Sequence, residues 1–310
     1  MTANPRPTAM DVTAGHDLTG LSCVITGATS GLGHESARAF ASAGAQVILA
    51  ARNADALTKS RTQIQDEYPQ ARTSGVPLDL ASLESVRTAA AAIAAMTPAI
   101  HVLMNNAGVM FTPEGRTVDG FETQFGTNHL GHFELTRLLV PRLIAAEGAR
   151  VVNLSSQAHW LADVDLDDPN WERREYDKFR AYGASKTSNL LHALEVDRRL
   201  SDDGVRAYAV HPGLVATALA RHMGRDDVSA VTAMTTSLDV DMDADVQTAQ
   251  TGAATQVWAS VSTTLDDVGG FYLSNCQIDD DCADYATDLT HAAELWSLSE
   301  NMCAGLGRKG

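Results

Sequence analysis

The sequence predicts an α/β fold of the doubly wound type, a single domain in which helices cover both faces of one parallel sheet. Short apolar runs alternate with helix-length amphipathic stretches from about residue 21 to 275. The runs are apolar along their whole length, which is typical of parallel strands buried on both faces. No internal repeat or linker divides the chain, so we expect one domain over 18–310 after a flexible N-terminal tail, 1–17.

The strands and helices follow from these runs in order. Helical spacing of apolar residues marks the stretches between them, for example Leu32–Ala43, Ala54–Asp66 and Ser82–Ala95. Strand–helix–strand order joins parallel strands by crossovers, so the sheet is predicted to be of the Rossmann type. The predicted strands are 22–27, 46–52, 75–80, 100–107, 150–156, 206–213 and 269–275.

Composition and charge exclude several kinds of partner. The 310 residues are 45% hydrophobic, enough for a full core, and the net charge of −16 disfavours nucleic acid and anionic membranes. No stretch approaches the roughly 20 apolar residues of a membrane span. The N-terminus also lacks the layout of a signal peptide, so we expect a cytoplasmic protein.

The four cysteines do not form a metal-binding pattern. Cys23, Cys276, Cys282 and Cys303 lack the paired spacing of zinc sites, and the histidines are scattered without a His-Glu-x-x-His motif. We predict reduced, structural thiols and no metal site.

Two segments interrupt the regular alternation. Residues 159–179 are acidic and aromatic, and residues 218–244 are long and rich in methionine. Long segments beside strand ends often cover substrate sites. A solvated insertion is the alternative interpretation for each.

Glycines cluster where the first strand leads into the first helix, in "VITGATSGLGHES". Gly27, Gly31 and Gly33 permit a tight turn and leave no Cβ in the way of a pyrophosphate. The helix N-terminus adds free N–H groups and a positive dipole end. Tight turns also need glycine, but the position between strand and helix favours a dinucleotide site. The predicted contacts extend to Thr29, Ser30 and Leu32.

The end of the second strand indicates which dinucleotide binds. Sites that prefer NAD usually carry an acidic residue there, whereas this chain has Ala51 followed by Arg52 and Asn53. An arginine can bind a 2′-phosphate through charge-assisted, bidentate hydrogen bonds. A solvent-exposed arginine at a helix start is the alternative. We predict NADP(H) rather than NAD(H), with Arg52 and Asn53 among the contacts.

The third strand ends with Asp79 and Leu80, which we also assign to the cofactor site. Asp79 is placed either to accept a hydrogen bond from the adenine amino group or to cap the next helix.

The fourth strand ends in "NNAG". Asn106, Ala107 and Gly108 are predicted to pass close to the cofactor, with glycine where the backbone approaches most closely. Asn105 and Asn106 carry amides that can tie neighbouring strands together.

Tyr182 and Lys186 lie four positions apart in a predicted helix and therefore share one face. A phenol has a pKa near 10, and lowering it to about 7 requires roughly 4 kcal/mol. An ammonium about 4 Å away supplies roughly that amount at an effective dielectric constant near 20. We predict that Lys186 lowers the pKa of Tyr182 in this way, without unusual burial.

Two serines follow the fifth strand, Ser155 and Ser156. Beside a tyrosine base, a serine hydroxyl polarises a carbonyl or alcohol oxygen. We favour Ser156, although the sequence leaves the choice between the two open. His159 is expected to be either a pocket-lining group or a polar loop residue.

These motifs, in this order, resemble the short-chain dehydrogenase/reductase family: "TGATSGLG", "NNAG", "FGTNHLG", the serine, "YGASK" and "HPGLVAT". The resemblance implies hydride transfer between nicotinamide and a carbonyl or alcohol carbon, often in homodimers or homotetramers. Tyr182 would be the general acid/base, Lys186 would hold the nicotinamide ribose, Ser156 would hold the substrate oxygen and Asn128 would anchor a proton-relay water. The cofactor contacts that it adds are Pro212, Gly213, Val215 and Thr217.

The interval from Ser156 to Tyr182 is 26 positions, about twice the usual interval in the family. With this insertion, "ARN" and "NHLGHF", the chain is most similar to retinol dehydrogenases and the oxidoreductase domain of WW-domain oxidoreductases. That similarity favours a lipophilic alcohol or ketone as the small-molecule partner.

Two other functions stay open. A reductase of activated C=C bonds would use the same tyrosine and lysine. A nucleotide-sensing or scaffold protein would keep the fold without turnover, but the retained Tyr182, Lys186, Ser156 and Asn128 argue against it.

Overall fold

The computed structural model describes residues 6–215, 227 and 246–305. Its strands are β1 Ser22–Thr26, β2 Gln46–Ala51, β3 Arg72–Pro77, β4 Val102–Asn105, β5 Arg150–Leu154, β6 Arg206–Val210, β7 Leu214–Val215, β8 Val246–Gln247, β9 Phe271–Ser274 and β10 Gln277–Ile278. Its α-helices are α1 Ala9–Thr13, α2 Gly31–Ser42, α3 Ala54–Glu67, α4 Leu83–Met96, α5 Thr123–Phe125, α6 Gly131–Ile144, α7 Lys178–Leu200, α8 Ala249–Gly252, α9 Ala254–Val261 and α10 Leu289–Gly305.

Eight of these strands form one sheet in the order β10–β9–β6–β5–β4–β1–β2–β3. Only the edge strand β10 is antiparallel to its neighbour, and every other pair is parallel. Alternate strand residues enter two cores: Val24 joins the core under α4, α6, α7 and α10, while Ile25 joins the core under α2, α3 and α9. The predicted doubly wound parallel sheet is therefore confirmed.

The bounds of β3 differ from the prediction. The sequence predicts a strand over 75–80, whereas the ladder with β2 begins at Arg72 and ends at Pro77. β3 is an edge strand and tolerates the polar residues 72–74, which carry no apolar signal. Leu78 and Leu80 are buried in the loop beyond it.

The expected loose tail over residues 1–17 is wrong for part of its length. Residues Ala9–Thr13 form helix α1, and Thr8 begins it with a capping box: Asp11 N–H donates to Thr8 Oγ1 at 3.1 Å, and Thr8 N–H donates to Asp11 Oδ2 at 2.8 Å. Ala9 is buried in the core under α2 and α9. The cap and this apolar contact hold the segment against the domain.

The segment 159–179 is packed rather than solvated. Val164, Asp168 and Trp171 are buried, and the Arg174 guanidinium stacks on the Trp171 ring at 3.9 Å. Of the second interruption, 218–244, the structure describes only Asp227, which forms an ion pair with Lys178 Nζ at 2.5 Å. The rest of that segment lies outside the described residues.

Candidate active site

A cavity of about 410 Å³ opens at the carboxyl ends of β1 to β4, where doubly wound sheets place their ligands. Most of the predicted cofactor residues line it, together with several that the sequence did not indicate, among them Thr26, Thr127 and Leu154. The predicted residues in its wall are Gly27, Thr29, Ser30, Gly31, Leu32, Arg52, Asn53, Asp79, Leu80, Asn106, Ala107 and Gly108.

The glycine loop is packed too closely for side chains. Gly27 has φ +67°, and a Cβ on Gly33 would lie 2.6 Å from both the Gly27 carbonyl oxygen and Asn106 Nδ2. Gly33 therefore faces the loop backbone itself, behind the surface that Gly27 and Gly31 present to the cavity. Ser30 is the N-cap of α2 without a capping hydrogen bond from its side chain, so its hydroxyl is free for a ligand. This cradle fits a pyrophosphate.

Arg52 stands exposed at the rim of the cavity, after β2. No carboxylate of residues 6–215 or 246–305 forms an ion pair with it. The neighbouring Asn53 is the N-cap of α3, where its Oδ1 accepts the Ala56 N–H at 2.9 Å. Asn53 therefore has a structural role beside its place in the cavity wall.

Asp79 also combines two roles. Its Oδ1 accepts the Ala81 N–H at 3.0 Å, while the cap of α4 is Ser82 and not Asp79. The carboxylate consequently stays in the cavity wall instead of being used at the helix start.

The asparagines of "NNAG" tie strands together, as predicted. Asn105 Nδ2 donates to Asn153 Oδ1 in β5 at 2.8 Å, and Asn106 Nδ2 donates to the Thr26 carbonyl in β1 at 2.7 Å. The Thr26 hydroxyl accepts the N–H groups of Asn106 and Ala107, both at 2.9 Å. The turn after β4 is thus anchored to the glycine loop.

Tyr182 and Lys186 lie on one face of α7, with 4% and 3% of their surfaces exposed. Lys186 Nζ lies 5.5 Å from the Tyr182 ring centroid and donates to the Leu154 carbonyl at 2.9 Å. Leu154 lines the cavity, so this contact joins the pair to the cavity wall. Neither Tyr182 nor Lys186 itself lines the cavity.

The sequence argument about the pKa of Tyr182 needs correction. Burial raises the pKa of the phenol, and a hydrogen bond with Ser156 lowers it by less. Burial also lowers the pKa of Lys186 to about 8. The predicted lowering of the Tyr182 pKa by Lys186 is therefore wrong: the net shift is upward, because desolvation is the largest influence on both groups.

The two serines after β5 point in different directions. Ser155 is buried and donates to the Lys186 carbonyl at 2.8 Å. Ser156 is partly exposed, accepts the Ala158 N–H at 3.1 Å and forms the hydrogen bond to Tyr182. The geometry places Ser156 beside the phenol, and Ser155 in a structural contact.

Asn128 lies in a π-helical turn, Gly126–Leu130, between α5 and α6. Such turns are frequent at functional sites. Its side chain is fully used by protein groups: Oδ1 accepts the Val109 N–H at 2.8 Å, and Nδ2 donates to the Val109 carbonyl and Ser185 Oγ, both at 2.9 Å. A Cβ on Gly108 would lie 3.1 Å from Asn128 Oδ1, which explains glycine there.

Residues 212–215 follow β6, as predicted, but they do not line the cavity of the glycine loop. Gly213 has φ +80° and faces Gln247, and Val215 pairs with Gln247 in the short ladder of β7 and β8. Pro212 precedes this turn. Thr217 lies outside the described residues.

Phe111 is a site residue that sequence reasoning missed. Its ring packs edge-on against Tyr182 with centroids 5.1 Å apart, and its φ of +51° is unusual for a bulky residue. Gln124 Oε1 accepts the Phe111 N–H at 2.8 Å. No motif marks either residue, so only the tertiary contacts identify them.

His132 is likewise part of this network. Its Nδ1 lies 2.9 Å from the Asn128 carbonyl, and its Nε2 lies 2.8 Å from Thr26 Oγ1. A carbonyl only accepts, so Nδ1 carries the proton and Nε2 accepts from the threonine. His132 therefore links the π-helical turn to the glycine loop.

The family model described as short chain dehydrogenase matches residues 22–228, well over half of the chain. The chain belongs to the short-chain dehydrogenase family. The ordered motifs and the predicted relationship are thereby confirmed, and the protein is an oxidoreductase of this family. The family binds nicotinamide cofactors and acts on small-molecule alcohols or ketones.

Similar proteins come from plants and animals. The chain is 38% identical over 313 residues to short-chain dehydrogenase TIC 32 A, chloroplastic, of Brassica napus, covering 96% of this chain and 93% of the relative. It is 38% identical to human retinol dehydrogenase 13, covering 91% and 84%. It is also 38% identical to the WW domain-containing oxidoreductase of Danio rerio, covering 95% and 71%. The last two represent the group that the sequence indicates.

A solved structure has the same fold. It is a putative uncharacterized protein from Mycobacterium paratuberculosis, 35% identical, with a TM-score of 0.72 and coverage of 94% of this chain and 97% of that chain. In the described parts of the present chain, no helix is long and apolar enough to cross a membrane. No cluster of three or more metal-binding side chains occurs there, and the four cysteines are unpaired.

Proposed function

We propose that the protein is an NADP(H)-dependent oxidoreductase for a lipophilic alcohol or ketone. The observation that carries the proposal is the contact of the Tyr182 phenol with Ser156, with Lys186 buried beside it and bonded to the wall of the cofactor cavity. A phenol, a serine hydroxyl and an ammonium at one point are the groups that carbonyl reduction needs.

In the reduction direction, Tyr182 donates its hydroxyl proton to the carbonyl oxygen, and in oxidation it takes the alcohol proton back. A nicotinamide cofactor bound in the cavity would supply or accept the hydride. Ser156 holds the substrate oxygen near the phenol, and Lys186 stabilises the phenolate that reduction leaves. Asn128, whose carbonyl His132 contacts, would anchor a relay water.

Arg52 supports the preference for NADP(H). It is exposed at the rim and free of acidic partners among the described residues. Ser30 lines the same cavity, and its side chain makes no capping hydrogen bond. A guanidinium and a hydroxyl suit a 2′-phosphate, and Ala51 provides no carboxylate to hold ribose hydroxyls.

A lipophilic substrate is supported by the aromatic wall and by the relatives. Phe111 packs on both Tyr182 and Phe179, the latter with centroids 4.6 Å apart. One relative is named for retinol, a lipophilic alcohol. The family resemblance extends the proposal to a homodimer or homotetramer, which light scattering of the purified protein would test.

The test is a panel of carbonyls and alcohols that includes lipophilic compounds. Turnover of each is measured by the change in nicotinamide absorbance, once with NADP(H) and once with NAD(H). We expect turnover of lipophilic ketones or alcohols with NADP(H) as the better cofactor. Product analysis distinguishes reduction of C=O from reduction of C=C. Binding of the cofactor without turnover of any carbonyl or alcohol would contradict the proposal.

A further inference from the structure

The hydrogen-bond partners of His159 determine which of its two ring nitrogens carries the proton. The side chain is completely buried, with Nδ1 2.8 Å from the Ser156 carbonyl and Nε2 3.2 Å from the Ala283 backbone nitrogen. A carbonyl only accepts a hydrogen bond, and a backbone N–H only donates one. Nδ1 therefore carries the proton and Nε2 is the acceptor, so the ring is neutral and held in one tautomer.

The backbone of His159 makes three more contacts. Its N–H donates to the Ser156 carbonyl at 3.1 Å, and its carbonyl accepts from the Tyr285 hydroxyl at 2.7 Å and from Thr187 Oγ1 at 3.2 Å. Thr187 follows Lys186 on α7. One residue thus joins the turn after Ser156, the helix of the catalytic pair and the segment 279–286.

The surroundings of the ring favour the neutral form. The Tyr272 ring packs edge-on at 5.1 Å and the Trp160 ring lies at 5.4 Å. Burial lowers the pKa of His159 more than Asp279 and Asp281 raise it. His159 lies in the turn Gln157–Leu161 and not in the wall of the cavity, so of the two alternatives that the sequence offered the polar loop residue is the nearer one, although its burial was not expected.

We propose that His159 is the positioning residue for Ser156: its Nδ1–H fixes the Ser156 carbonyl, and its Nε2 anchors that turn to Ala283. The serine hydroxyl then keeps its place beside Tyr182 because the turn that carries it cannot rotate. This inference rests on the proposed function of Ser156 in holding the substrate oxygen. The segment 279–286 becomes part of the catalytic framework, although it contacts neither substrate nor cofactor.

Two variants separate the two ring contacts. In His159→Asn the amide nitrogen can reach the position of Nδ1 and keep the bond to Ser156, but the bond to Ala283 is lost. In His159→Gln the amide can reach the position of Nε2 and accept from Ala283, but the side-chain donor to the Ser156 carbonyl is lost and only the backbone N–H remains on it. Losing one buried hydrogen bond at a catalytic group costs roughly tenfold in rate.

We expect kcat of His159→Gln to fall about tenfold while KM for the cofactor stays constant, and kcat of His159→Asn to stay within about threefold of wild type. Thermal unfolding is measured for both variants and for His192→Gln, a buried histidine on α7 that contacts Asn153 instead of the serine turn. That control should lose stability without the loss of kcat. Equal kcat in the Asn and Gln variants would overturn the inference.

A second measurement is independent of turnover. Histidine nitrogen NMR of the wild-type protein should show His159 as the neutral tautomer with its proton on Nδ1. A proton on Nε2 would overturn the inference, whatever the substrate. Absence of wild-type turnover with every carbonyl and alcohol would instead contradict the proposed function, so the two failures are distinguishable.

Discussion

Replacing Lys186 with methionine tests the electrostatic contribution of the ammonium to Tyr182. Nζ lies 5.5 Å from the phenol ring centroid, and both side chains are buried. At an effective dielectric constant near 20, a unit charge at this distance stabilises the phenolate by about 3 kcal/mol. That free energy corresponds to about two pKa units. A contribution of this size would oppose the desolvation that raises the pKa of Tyr182.

Alcohol oxidation needs the deprotonated phenol, so its rate rises as the pH passes the pKa of Tyr182. In Lys186→Met that rise should move about two units toward alkaline pH, and kcat for oxidation near neutrality should fall about 100-fold. Carbonyl reduction needs the protonated phenol, so its decline at high pH should move in the same direction. Both profiles are measured at saturating NADP(H) after cofactor affinity has been determined by fluorescence.

The matched control is Arg198→Met, which removes a cation from the same helix, in an ion pair with Glu195 and about 24 Å along the helix axis from Tyr182. Its profile should coincide with that of the wild type. A Lys186→Met enzyme that is slower at every pH, but whose profile keeps its wild-type position, would refute the electrostatic argument and leave Lys186 only a role in binding.

Further predictions concern the acid/base group, the cofactor site and stability. Tyr182→Phe should retain NADP(H) affinity and lose most turnover, and near-normal turnover would exclude the assigned role. Arg52→Asp should shift kcat/KM toward NAD(H), whereas an unchanged ratio would mean that another residue holds the phosphate. Gly33→Ala should weaken NADP(H) binding at least tenfold, since the added Cβ would meet backbone at 2.6 Å; Gly305→Ala, with nothing within 4 Å, is its control. Burial lowers the pKa of His132 to about 4, below the ordinary 6.5, so its contribution to stability is present above pH 6.5 and is lost as the pH falls toward 4. About 2 kcal/mol should disappear by about pH 5, and urea unfolding should show a smaller pH dependence in His132→Asn; an unchanged dependence would contradict the neutral buried ring.

The sheet was predictable because its signal is local. Runs such as Val47–Leu49 are apolar without interruption, and only strands buried on both faces need that pattern. The first half of β3 was missed because an edge strand is buried less, and its residues Arg72–Ser74 carry no apolar run. Helix α1 was not predicted because a helix of five residues is too short to show a periodic apolar pattern. Its stability comes from the capping box at Thr8 and from packing against distant elements.

The same distinction between local signals and long-range contacts applies to the candidate site. Spacing alone places Tyr182 and Lys186 on one face, but the sign of the pKa shift depends on burial by segments far along the chain. His159 carries no local signal for its contact with Ala283, 124 residues away. Residue types and short spacings were therefore readable, whereas desolvation and long-range hydrogen bonds required the fold.

The segment inserted between Ser156 and Tyr182 does not move the phenol away from its neighbours, and the contacts of Gln124 explain why. Its amide nitrogen donates to the Tyr176 hydroxyl at 3.1 Å and to the Lys178 carbonyl at 2.9 Å, while its oxygen holds the Phe111 N–H. The inserted segment therefore ends on the element that fixes Phe111 against Tyr182. A φ above zero at a bulky residue costs about 1–3 kcal/mol and persists only where its surroundings enforce it. Gln124 enforces it here, so the insertion braces the wall beside the phenol and does not displace it.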